Sequence, residues 1–317
     1  MRRTPWGALC GAIALATVAL PELTASAQPA SRVATELEQH LYAGTLEAGE
    51  RALRAIITEQ PGNAEAQFAL GGVMLARAVE RFGQSLYRHG LQAPRTMFLP
   101  LFNLPLPVNP HPQPLTYERF REIFAQLVRD LDATEAELAR VGNAEVKLTV
   151  DLARVRLDVN GNGVAEEREK LSAIIESLAQ GARRRAIAAP AGGNSFPVAF
   201  DLADVYWMRG YANLIAFSAE FFLAHDFRTT FDSTFHLFFP RAGLPFSRLI
   251  AESAARTSGM EFGSIFDAIA FIHLVRWDVA EPGRMTSMHA RLKSAIELSR
   301  KTWAAVLAET DDDNEWL

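Results

Sequence analysis

Apolar residues recur at i, i+3 and i+4 along most of the chain, the spacing that lines one face of an α-helix, and the pattern predicts an all-α, multi-helix globular protein. Val33 to Gly90 reads as helical throughout. Thr116 is placed to cap a long helix whose face is traced by Phe120, Ile123, Phe124, Leu127, Val128, Leu131 and Leu138, with Gly142 and Asn143 ending it. Helices fit again from Phe200 to Asp226, near Leu249 to Ser258, and from Ile265 to Leu307. Val146 to Leu152 alternates strictly, which is a strand's period, although Leu152, Val155 and Leu157 can also line a helix.

Two stretches interrupt this pattern. Residues 93–114 carry seven prolines, which cannot continue a helix and restrict the residues before them. Met97, Phe98, Leu99, Leu101, Phe102, Leu104 and Leu106 lie among them, so this segment reads as an extended strap laid across protein instead of a linker in water. The second break begins at Gly181 and includes the Ala-, Pro- and Gly-rich run from Ala186 to Pro197. The expected organisation is a leader over 1–27, a helical hairpin within 28–92, the strap over 93–114, a helical segment over 115–186, and a C-terminal helical segment over 198–317.

The leader follows from the first residues. Arg2 and Arg3 precede an apolar run from Trp6 to Leu20, and Ala25-Ser26-Ala27 supplies a small-residue cleavage site, the plan of a secretory signal. Fifteen apolar residues fall short of the ~20 that a spanning helix requires. Cleavage after Ala27 removes Cys10, the single cysteine, and leaves 290 residues that cannot form disulfides or thiolate metal sites. Taking out Arg2, Arg3 and Glu22 leaves 30 basic against 36 acidic residues, with no basic stripe for nucleic acid. The expected product is an exported protein, periplasmic or secreted, with no stable membrane span.

Gly44, Gly49, Leu53, Ile56, Pro61, Ala64, Leu70 and Gly71 fall at the offsets of a helix-turn-helix repeat. The stretch resembles a tetratricopeptide hairpin over about residues 44–78, with small residues where helices approach, Leu53 and Ile56 filling the groove, and Pro61 breaking the helix. A single hairpin cannot form a repeat stack. The resemblance implies a face that meets another protein.

The most specific motif is Asp158-Val-Asn-Gly-Asn-Gly-Val-Ala-Glu-Glu-Arg-Glu169, which satisfies the Asp-x-Asx-x-Asx-Gly-x5-Glu pattern at every required position. It resembles an EF-hand calcium loop. Ca²⁺ takes six to eight oxygen ligands, so the resemblance implies side-chain oxygens from Asp158, Asn160 and Asn162 and the backbone carbonyl of Val164. Glu166 would act through water and Glu169 as a bidentate carboxylate, while Gly163 permits the sharp turn. The alternative is a polar Asn-Gly turn without an ion. Leu171, Ile174, Ile175 and Leu178 outline an exiting helix, whereas the preceding residues leave helix and strand both open. Position eight is Ala165, where paired EF-hands carry a β-branched residue. The acidic tail Asp311–Glu315 lacks the glycine and terminal Glu of a second loop.

A rival reading is a periplasmic metal-dependent hydrolase with a cleft around Asp204, His225, Asp226 and His236, in a Phe-rich context. Against it, Asp201 can start a helix and the histidines can fill polar gaps in an aromatic core. His-Glu-x-x-His, Gly-x-Ser-x-Gly, the Walker loop and the dinucleotide fingerprint do not occur. A non-enzymatic scaffold with a structural Ca²⁺ is the preferred expectation.

Overall fold

The structure is a computed structural model that describes residues 31–92, 100–102, 104–173, 195–247 and 272–309. The leader, the proline-rich residues 93–99, the exiting-helix positions Ile174 to Leu178, the expected helix near Leu249 and the acidic tail lie outside the described residues.

The protein is all-α, as the apolar spacing predicts. Helices α1 (Arg32–Ala43), α2 (Leu46–Glu59) and α3 (Ala64–Arg88) follow one another through short turns. Ser31 and Asn63 cap α1 and α3 by accepting backbone N–H groups of Ala34 and Ala66, and Gly44 closes α1 in the left-handed conformation. A Cβ on Gly49 would sit 2.8 Å from His40 Cβ, so α2 crosses α1 at a glycine, and Leu53 and Ile56 are buried behind it. α3 continues unbroken for 25 residues.

Helix α4 (Tyr117–Leu138) begins where Thr116 accepts the Arg119 N–H at 3.1 Å. Its apolar face is buried, and Gly142 ends the following turn at φ 65°. The alternating residues form strand β1 (Leu148–Asp151), paired antiparallel with β2 (Pro197–Phe200). This strand truncates the expected helix from Phe200. Helix α5 (Leu202–Ala224) starts after the Asp201 cap, and His225–Asp226 leaves it as the short strand β3.

Helix α6 (Arg228–Thr234) follows. Of the expected helix from Ile265 to Leu307, residues 265–271 lie outside the described residues, 272–274 are helical, and 275–281 interrupt it. Asp278–Val279 forms strand β4 against β3, and α7 (Pro282–Val306) begins at Pro282, whose fixed φ suits a first helical turn.

Two buried clusters organise these elements. One gathers α1, α2, the first half of α3, β1, β2 and the residues around the Asp158 loop. The other is aromatic, with Phe102 of the proline-rich segment fully buried against Phe120, Phe238, Phe235 and Phe239 at centroid distances of 5.5 to 6.4 Å. Leu104 and Leu106 pack against both clusters.

Candidate metal centre

Asp158 to Glu169 folds as a turn built on its own side chains. The Asp158 carboxylate accepts three backbone N–H groups, from Gly161 at 2.8 Å, Asn162 at 3.1 Å and Gly163 at 2.9 Å. Asn160 Oδ1 accepts from Asn162 N at 2.9 Å, and Asn162 Oδ1 from Val164 N at 2.8 Å. Asx side chains at alternate positions thus curl the backbone around themselves. Gly161 and Gly163 hold φ of 71° and 83°, in the region glycine adopts without a Cβ penalty.

Glu169 closes the turn. It is 1 % exposed, with Oε1 accepting from Asn160 N at 3.2 Å and Oε2 from Glu166 N at 2.8 Å. Glu166 and Glu169 form a reciprocal cap on the short 3₁₀ turn Glu167–Glu169. Burial raises the Glu169 carboxyl above its ordinary range. The two N–H bonds oppose the rise, and the nearby charges of Asp158 and Glu166 add to it. A cation placed among these oxygens would remove that penalty.

The loop's ends are joined antiparallel. Leu157 N donates to Glu169 O at 3.0 Å, Leu171 N to Val155 O at 2.9 Å, and Arg156 bridges to Lys170. The segment leading in is extended, so the chain approaches without the helix that would precede an EF-hand loop. Val164 turns its side chain outward at 63 % exposure, in keeping with a position that would contribute only a carbonyl.

Helices α1 to α3 support the loop from outside, through contacts that motif reading missed. Glu80 on α3 accepts the Asp158 N–H at 2.8 Å, and Gln84, one turn on, donates to the Asp158 carbonyl at 2.7 Å. Burial lifts the Glu80 carboxyl to about 7; the Asp158 N–H bond lowers it, and the Asp158 charge raises it again. Arg156 N donates to Leu41 O at 3.0 Å. Ala165 packs at the turn between α1 and α2, where a Cβ on Gly44 would stand 2.2 Å from its own. The available signal was Gly83, a glycine inside a helix; a Cβ there would lie 3.3 Å from Val159 Cβ.

Among the described residues, no three His, Cys, Asp or Glu side chains are gathered so as to hold a metal ion. The loop's donor set is instead mixed, with carboxylates from Asp158 and Glu169, amide oxygens from Asn160 and Asn162 and a carbonyl from Val164. All are oxygens, the chemistry that Ca²⁺ requires.

Asp204 and His225 of the rival cleft lie far apart, and among the described residues the four form no metal-holding group. Asp204 belongs to the first turn of α5, accepting from Asp201 N at 3.0 Å, whereas His225 stands at the far end of the 23-residue helix, about 30 Å away at 1.5 Å per residue. His225 Nδ1 lies 2.8 Å from Phe221 O. Asp226 accepts from Tyr117 OH at 3.1 Å and Arg228 N at 3.0 Å. His236 is buried beside Phe246. Asp201 caps α5 through Ala203 N and Asp204 N.

Among the described residues, no helix is long and apolar enough to cross a membrane. In comparisons with known proteins, the chain matches no family model, no curated protein and no solved structure.

Proposed function

We propose that this is an exported, non-enzymatic helical protein whose Asp158–Glu169 loop takes one structural Ca²⁺ and whose N-terminal helical hairpin meets another protein. The observation that carries the reading is the position of Glu169. Its carboxylate is buried within the turn, facing the Asp158 and Asn160 side of the loop, where a bidentate twelfth ligand is needed. Asp158, Asn160 and Asn162 would supply further side-chain oxygens, Val164 a carbonyl, and Glu166 a water-mediated contact. The bound ion would neutralise facing carboxylates and lock the loop onto α1 and α3.

An extended lead-in lacks the helix pair that opens in a calcium sensor, which favours a stabilising role over a switching one. At a hundredfold excess over its dissociation constant, Ca²⁺ would add about 2.7 kcal/mol to folding.

Calorimetric titration of the chelator-stripped protein with Ca²⁺ and Mg²⁺ tests the reading. One Ca²⁺ per chain, with a raised melting temperature, is expected. Glu169→Ala should abolish binding, and Asn162→Ala, at an exposed position, should weaken it in a protein that still folds. No heat and no melting shift at millimolar Ca²⁺ would reduce the loop to an ordinary turn.

A further inference from the structure

Helices α5 and α7 pack antiparallel: Glu220 meets Arg284 at 2.8 Å, Gly210 faces Leu298, and Lys301 lies over the Tyr206 ring. On α5 the contact residues Tyr206, Gly210 and Glu220 are each followed by an aromatic residue, namely Trp207, Tyr211 and Phe221. On α7 the contact or buried residues Arg284, Arg291, Ala295 and Thr302 are followed by Met285, Leu292, Ile296 and Trp303. Each helix therefore carries a second seam at alternating spacings of three and four residues, offset by one residue from the first, or about 100° of turn. Equal offsets in an antiparallel pair fall on the same side of it. The two seams thus border one groove.

The side chains along these seams are exposed. Trp303 is 62 % exposed, Ile296 48 % and Tyr211 47 %, with Leu214, Phe221, Met285 and Leu292 each near 40 %. Together with Leu307 these side chains leave on the order of 800 Å² of apolar surface uncovered, more than most monomers tolerate in one patch and close to what each partner contributes to a stable interface. No seam position carries Asp, Glu, Lys or Arg; the polar ones are Ser218, His289 and Ser299. An uncharged, self-complementary seam suits a two-fold contact, in which like residues approach one another without repulsion.

We propose that a second copy of this chain occupies the groove, the α5–α7 pairs of two copies joining as a four-helix bundle. Sedimentation velocity of the full chain across about 0.1 to 100 µM should show a monomer–dimer equilibrium. Leu292→Glu with Ile296→Glu places four carboxylates in the dimer seam and should weaken association at least tenfold, leaving the helical circular dichroism unchanged. Trp303→Ala, which only trims the patch, should weaken it less. A monomer at every concentration would overturn the proposal, whether the groove is then covered by another segment of the chain or binds lipid vesicles instead. A dimer that survives the double substitution would place the interface elsewhere and overturn it equally.

Discussion

The buried Glu80 carboxylate accepts the backbone N–H of Asp158 at 2.8 Å, tying the middle of α3 to the first residue of a loop 78 positions later. With Gln84 on the Asp158 carbonyl, both backbone polar groups of that residue are satisfied by one helix. The loop's first side chain is thereby aimed by α3 as well as by its own turn. Glu80→Ala leaves a partly buried N–H without its acceptor and should cost about 1–3 kcal/mol, read as a lower urea midpoint. Glu80→Gln keeps an acceptor and should recover most of it.

Gly44→Ala should be more damaging than a surface glycine change. Its φ of 68° costs alanine about 1–2 kcal/mol, and the new Cβ would meet Ala165 at 2.2 Å, pushing the loop off the α1–α2 turn. A total loss of about 2 kcal/mol or more is expected in thermal unfolding, together with weaker binding at the proposed Ca²⁺ site. Gly62→Ala, with open space around it and no positive φ, should change neither.

Arg121 closes the C-terminus of α5. Its guanidinium donates to the carbonyls of Phe222, Leu223 and His225 at 2.7 to 3.2 Å and pairs with Glu281 at 2.5 Å. These are carbonyls that the helix end leaves unpaired. Arg121→Ala should cost about 3 kcal/mol through those lost charged bonds. Lysine cannot reproduce the planar fork, so Arg121→Lys should restore less than half in the same denaturant assay.

Asp151 sets an acid limit on the strand pairing. Partial burial pushes its carboxyl up, but bonds from Phe196 N–H, the Ser195 hydroxyl and Ala153 N–H outweigh this and hold it below its unfolded value near 3.8. A lowered carboxyl contributes stability above that value, and the contribution is lost as pH falls through the folded value. Asp151→Asn should therefore be destabilising at neutral pH, and its gap from the parent should narrow below about pH 4.

Legibility from sequence followed the range of the interactions. α4 could be read because Thr116 and its apolar positions are local, and the Asp158 loop because its curling bonds span five residues or fewer. The β1–β2 pairing was hidden because Leu148 meets Phe200 across 52 positions, so alternation suggested a strand without naming its partner. Glu80 was hidden for a related reason. A glutamate within a helix reads as solvent-facing until the loop that covers it is placed. The break at 275–281 was hidden because the apolar pattern continues through Trp277, whereas Trp277 leaves the register to donate to Thr230 Oγ1 at 2.8 Å.

Leu104 and Leu106 touch both buried clusters, and α3 sends its first half into one and its second half into the other. Neither cluster can loosen without stripping contacts from its neighbour. The two should melt cooperatively, so that damage at the Asp158–Glu169 loop lowers the stability of the distant phenylalanine core as well.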